Sequence, residues 1–161
     1  MSNSRAKLMS DAPVADIGPL DIRRSAMDLL AFREHSMQEL ITKLLRKFPG
    51  CEHIDSQLQQ LATENLQSDQ RFAEAFVRSR VYKGQGPLRI RNELRQRGIA
   101  STLIELTLEQ AGVDWFAVIS ELSARKYGDA PVRDEKDKAK RIRFFQYRGF
   151  SYELIKHTLD G

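Results

Sequence analysis

Hydrophobic positions recur every three or four residues along this chain from Ser25 onward. That is the period of an α-helix with one side against a core. In Met37–Leu45 the residues Met37, Leu40, Ile41, Leu44 and Leu45 fall at i, i+3, i+4, i+7 and i+8 and so share one face. Ser36 precedes this run and Glu39 follows it by three residues. This is the capping-box spacing, in which two side chains satisfy backbone N–H groups left open by a first turn. The same pattern predicts nine short helices, near residues 22–33, 36–47, 53–65, 69–82, 87–97, 101–111, 114–126, 135–147 and 151–159. No stretch sustains two-residue alternation, so no sheet is predicted. Glycine and proline mark the connections: Pro49-Gly50, Gly84-Gln85-Gly86-Pro87, Gly98, Gly112, Gly128 and Gly149.

The pattern also repeats on a longer scale. A shift of 50 residues places Leu40 on Ile90 and Leu44 on Leu94. A shift of 51 places Leu94 on Phe145 and Arg97-Gly98-Ile99 on Arg148-Gly149-Phe150. At that corner the first copy has Lys47-Phe48 without the glycine. In the third copy Arg141 stands where Ile90 stands in the second, so the third set of helices is expected to pack differently. One unit of this size has a marginal core, and stacked units cover one another's apolar faces. The predicted fold is therefore all-α: three tandem three-helix repeats at 21–66, 67–112 and 113–161, forming an elongated, curved body after a flexible arm at 1–20. That arm holds no apolar run of signal-peptide type, and no stretch approaches the 18 apolar residues of a membrane span.

Charge sharpens the picture. Lys and Arg total 26 against 22 Asp and Glu, a net +4. The surplus is concentrated. Arg78 to Arg97 holds seven basic residues (Arg78, Arg80, Lys83, Arg89, Arg91, Arg95, Arg97) and one acid, Glu93. Arg133 to Arg148 holds seven basic residues, among them Lys140, Arg141, Arg143 and Arg148, and three acids. Such density favours a face for an acidic partner, because clustered like charges repel until a partner relieves them. A simpler reading is a solvated face, with Arg89 and Glu93 as an i, i+4 pair. Phe145 and Phe150 match core positions of the second repeat, and Tyr147 is the ring expected to be exposed. Trp115, with Ile119 and Leu122 at i+4 and i+7, reads as a core or inter-repeat anchor.

Catalytic chemistry finds no footing. In Lys83-Gly84-Gln85-Gly86-Pro87 the lysine precedes the glycines and no Ser or Thr follows, unlike a phosphate-binding loop. These glycines read instead as a tight reversal with positive φ, and Pro87 as a first-turn residue. His35, His53 and His157, with the single Cys51, lack metal-site spacing. One cysteine allows no internal disulfide, which fits a reducing compartment. No enzyme, metal or cofactor is expected.

From about residue 20 the chain resembles the RecX family. The resemblance rests on Arg33-Glu34-His35-Ser36 with Glu39-Leu40 and Lys43-Leu44, and on Asp69-Gln70-Arg71-Phe72-Ala73 with Arg78-Ser79-Arg80. It continues through Lys83-Gly84-Gln85-Gly86-Pro87, Ile90, Glu93-Leu94, Gly98-Ile99, Arg125-Lys126-Tyr127-Gly128 and Tyr147-Arg148-Gly149-Phe150. Their order and spacing over about 130 residues carry the match. The resemblance implies a cytoplasmic, non-enzymatic, monomeric protein of tandem three-helix repeats. It implies binding to the RecA filament on DNA and restraint of its strand exchange, ATP hydrolysis and co-protease action in DNA repair and the SOS response. The expected partner-binding residues are the eleven basic positions Arg78, Arg80, Lys83, Arg89, Arg91, Arg95, Arg97, Lys140, Arg141, Arg143 and Arg148. A helical module acting directly on single- or double-stranded DNA is the alternative, because the helix over 88–97 offers Arg91, Asn92 and Arg95 as base-reading side chains.

Overall fold

The computed structural model describes residues 16–161, and among these it contains nine α-helices and no strand. They are α1 (Pro19–Phe32), α2 (Met37–Lys47), α3 (Ile54–Thr63), α4 (Asp69–Tyr82), α5 (Pro87–Gln96), α6 (Ser101–Ala111), α7 (Trp115–Tyr127), α8 (Glu135–Tyr147) and α9 (Tyr152–Asp160). The predicted arm at 1–20 lies mostly outside the described residues, but its last two positions are helical. Helix α1 starts three residues earlier than predicted. Pro19 occupies its first turn, and the Asp21 carboxylate accepts the Gly18 N–H at 3.0 Å. Both devices suit a helix N-terminus, where backbone N–H groups have no partner inside the helix.

The described chain divides into two compact units, one ending at Ser68 and the other spanning Asp69–Gly161. In the first, α1, α2 and α3 enclose Ile22, Ala26, Leu40, Leu44, Ile54, Leu58 and Leu61. Burying each leucine contributes about 2 kcal/mol relative to exposure. The predicted capping box of α2 is formed: Glu39 N–H donates to Ser36 Oγ, and Ser36 N–H to Glu39 Oε1, both at 3.1 Å. Leu45, predicted on the core face, is 46% exposed. The stripe is narrower than the pattern suggested, with Leu40 and Leu44 at its centre.

The second unit holds two cores. One, from α4, α5 and α6, contains Phe72, Phe76, Val77, Ile90, Leu94, Ile99, Ile104 and Leu108. The other, from α7, α8 and α9, contains Ile119, Leu122, Phe145, Phe150 and Ile155. Half-buried Trp115 packs against both, as an anchor between repeats should. The corners aligned by the repeat share one geometry. Gly98 and Gly149 take φ of +81° and +99°, and the Ile99 and Phe150 N–H groups donate back to Leu94 and Phe145 carbonyls at 3.1 Å. This is a Schellman-type stop followed by a buried apolar residue.

Between α1 and α2, His35 is 1% exposed. Its Nε2 lies 2.9 Å from Lys43 Nζ and its Nδ1 3.0 Å from the Arg33 carbonyl. An ammonium only donates, so Nε2 accepts and Nδ1–H donates to the carbonyl. The ring is neutral. Burial first, and then the Arg33 and Lys43 charges, hold its pKa below the ordinary value against the opposing pull of the Arg33 carbonyl and Glu39. The unfolded chain therefore binds a proton that the folded chain refuses, and stability falls as pH drops below the ordinary histidine value of about 6.5. Thermal melts followed by circular dichroism are expected to show Tm falling from pH 7 to pH 5, with a smaller fall in His35→Gln. Equal slopes for the two proteins would contradict this assignment.

Candidate partner-binding face

The eleven basic candidates do not form one class. Helix α4 ends with Arg78 and Arg80, and the loop to α5 begins with Lys83. Arg80 Nε lies 3.2 Å from Glu93 Oε2 of α5, and its guanidinium stacks on Phe76 at 4.4 Å from the ring centroid. Arg89 meets the other Glu93 oxygen at 3.0 Å, as its i, i+4 spacing suggested. Arg97 donates to the Glu93 carbonyl and also stacks on Phe76. Three arginines thus converge on one acidic residue. Arg91 pairs with Glu105 of α6 at 2.7 Å, and that contact holds the Glu105 carboxyl below its ordinary pKa. This pair is largely exposed, so it contributes little and is readily exchanged for another anion.

Arg141 departs from expectation. Offered as a partner-binding residue, it is only 7% exposed. Its guanidinium donates to the Ala130 and Pro131 carbonyls at 3.0 and 3.1 Å, pairs with Asp137 at 3.3 Å and stacks on Tyr127 at 4.3 Å. The position that the repeat pattern aligned with Ile90 is filled by a charge with its own internal partners. Arg141 ties the 128–134 loop to α8 and is removed from the candidate face. The Asp137 carboxyl is held below its ordinary range by the Arg133 backbone N–H and then, against desolvation, by Arg141 and Arg133.

Arg78, Lys83, Arg95, Lys140 and Arg143 are exposed, and none takes part in the ion pairs just described. On α8 the exposed residues Lys136, Lys140, Arg143 and Tyr147 follow at i, i+4, i+7 and i+11, which is one stripe of a helix. Tyr147 is 74% exposed and carries the Arg89 guanidinium over its ring at 5.0 Å. The stripe therefore runs from α8 onto α5. Arg148 continues it, donating to the Lys83 carbonyl at 3.1 Å and lying 5.5 Å from the Phe144 ring, which also carries Lys126 at 5.2 Å. Sequence reasoning left Lys126, Lys136 and Arg125 off the candidate set. The signal for Arg125 and Lys126 was present in the Arg125-Lys126-Tyr127-Gly128 motif.

The loop Lys83–Pro87 has no free phosphate cradle. The Gly86 and Leu88 N–H groups donate to the Arg148 and Gly149 carbonyls. Gly86 also corrects the expectation of positive φ: it sits at φ −86°, and of the two loop glycines only Gly84 is left-handed, at +79°. Among the described residues no group of three or more His, Cys, Asp or Glu is placed to hold a metal, and no helix is long and apolar enough to cross a membrane.

Helix trios repeated in tandem, with cations along one stripe, define an all-α repeat protein. Comparison with known proteins narrows this. The models of the RecX second and third three-helix domains match residues 68–108 and 113–159. A regulatory protein RecX of Ectopseudomonas mendocina is 45% identical over 143 residues, covering 89% of this chain and 95% of that protein. Its counterpart from Pseudomonas savastanoi is 42% identical over 149 residues, covering 92% and 96%. The chain belongs to the RecX family of regulatory proteins. The crystal structure of RecX from Lactobacillus salivarius, at 22% identity, shares the fold with a TM-score of 0.68 over 88% of this chain and 96% of that one.

Proposed function

We propose that this chain binds the RecA filament on DNA and restrains its recombinase, ATPase and co-protease activities, and so acts on DNA repair and the SOS response in the cytoplasm. The observation that carries the reading is the exposed stripe Lys136, Lys140, Arg143 and Tyr147, continued by Arg89 and Arg148. It belongs to a unit with 18 Lys and Arg against 13 Asp and Glu, whereas residues 1–68 have 8 against 9. The family's regulatory character and the residues that resemble it point to RecA. The cations supply the charge that an acidic, DNA-containing groove attracts. Direct base reading by α5 is the weaker alternative. A recognition helix presents its N-terminal residues to bases, but that end of α5 is occupied by carbonyls of the 148–149 corner.

Co-sedimentation at several salt concentrations tests the proposal. The protein is expected to pellet with RecA–single-stranded-DNA filaments at salt that abolishes its retention on DNA alone. Equal retention on bare DNA, with the same steep salt dependence, would favour the DNA-binding module.

A further inference from the structure

We propose that the second and third repeats are locked into one rigid body by a joint between two glycines, and that Gly86 and Gly149 are positioning residues for the cationic stripe. The proposal rests on the reading of function given above. Gly86 has φ −86° and ψ 168°, an extended conformation open to any residue, so backbone freedom does not explain a glycine there. Close approach does. A Cβ on Gly86 would lie 2.4 Å from the Gly149 carbonyl oxygen and 2.5 Å from its carbon. A Cβ on Gly149 would lie 2.4 Å from Arg89 Cβ and 2.6 Å from Arg89 N. The obstacles are almost all main chain, which cannot swing aside as a flexible side chain does.

The approach brings the C-terminal end of α8 against the N-terminal end of α5. Gly86, the N-cap of α5, has no side chain with which to cap it. Arg148 and Gly149 of the next repeat cap the helix instead: their carbonyls accept the Gly86 N–H at 2.7 Å and the Leu88 N–H at 3.0 Å. The negative end of one helix dipole thus meets the positive end of the other. Two further bonds cross the joint, from Arg148 to the Lys83 carbonyl and from Arg89 to the Tyr147 carbonyl. Trp115 packs against the cores of both repeats and so reports on how they sit together. The joint fixes Arg89 beside Tyr147, and so fixes where the α8 stripe meets α5.

Amide hydrogen exchange on the full chain, combined with RecA inhibition, tests this. In the wild type the Gly86 and Leu88 amides should be protected, and so should that of Ile90, which donates to the Gly86 carbonyl. In Gly86→Ala protection of Leu88 should fall at least about tenfold while Ile90 and Leu94 keep theirs, Trp115 emission should shift to the red, and inhibition should need about tenfold more protein, a factor equal to one decade of affinity. Gly50→Ala is the control: unlike Gly86, Gly50 has a left-handed φ of +73°, so alanine strains the backbone there, but nothing lies within 4 Å of its Cβ position. If Gly86→Ala does not fold, exchange at the wild-type Gly86 and Leu88 amides, the two donors of the joint, decides the proposal by itself. Free exchange of Gly86 and Leu88 in the wild type, or a variant with an opened joint that inhibits as well as wild type, overturns the proposal. Wild-type inhibition in the same assay tests the functional reading separately.

Discussion

Reversing two exposed charges, Lys140→Glu with Arg143→Glu, should raise the protein concentration needed for half-inhibition of RecA ATPase by about a hundredfold, with helical content unchanged. Each reversal removes an attraction and adds a repulsion, and about one decade per site corresponds to about 1.4 kcal/mol. Neither residue takes part in the internal ion pairs described above, so the fold has no stake in them. The loss should shrink as salt rises, because exposed charges are screened beyond about 8–10 Å at physiological ionic strength. Substituting Arg80, Arg89 or Arg97 is a poorer probe, since each also supports Glu93 or Phe76. Unchanged inhibition by the double variant would remove the α8 stripe from the account.

Arg141→Ala should act in the opposite way, lowering stability with no direct loss of partner contacts. It deletes two charge-assisted hydrogen bonds to the Ala130 and Pro131 carbonyls, the ion pair to Asp137 and the stack on Tyr127. Losses of this kind cost about 3 kcal/mol together. For a unit of this size that is about 12–24 °C in Tm. The deletion should also relax Asp137 toward its ordinary pKa. Because that pKa is depressed in the fold, the stability it contributes is present at neutral pH and is lost as pH falls through the aspartate range. The wild type should therefore lose more stability than Arg141→Ala between pH 5 and pH 3. Chemical denaturation across that interval measures both effects, and parallel curves would contradict the role given to Arg141.

The helices were legible in the sequence because period and caps are local. Ser36 and Glu39, three residues apart, announced α2, and Gly98 and Gly149 announced two corners. Arg141 was half legible: the repeat showed that it replaced Ile90, and Asp137 stands four residues before it, but the Ala130 and Pro131 carbonyls and the Tyr127 ring lie off α8, where no local pattern ties them to it. Gly86 was misread because its reason is a backbone more than 60 residues away, and the sequence alone offers only the local explanation of a turn. The candidate face was visible as density of charge, not as a set of residues. Glu105 claims Arg91 from another helix, and only the three-dimensional pairing separates such arginines from Lys140 and Arg143.

The most direct test of the whole account is titration of the full chain into RecA–single-stranded-DNA filaments while ATP hydrolysis is followed, with retention on DNA alone measured at the same ionic strength. Hydrolysis should fall with added protein, at concentrations where DNA alone retains little of it. Hydrolysis that stays constant up to a clear molar excess over RecA would contradict the account.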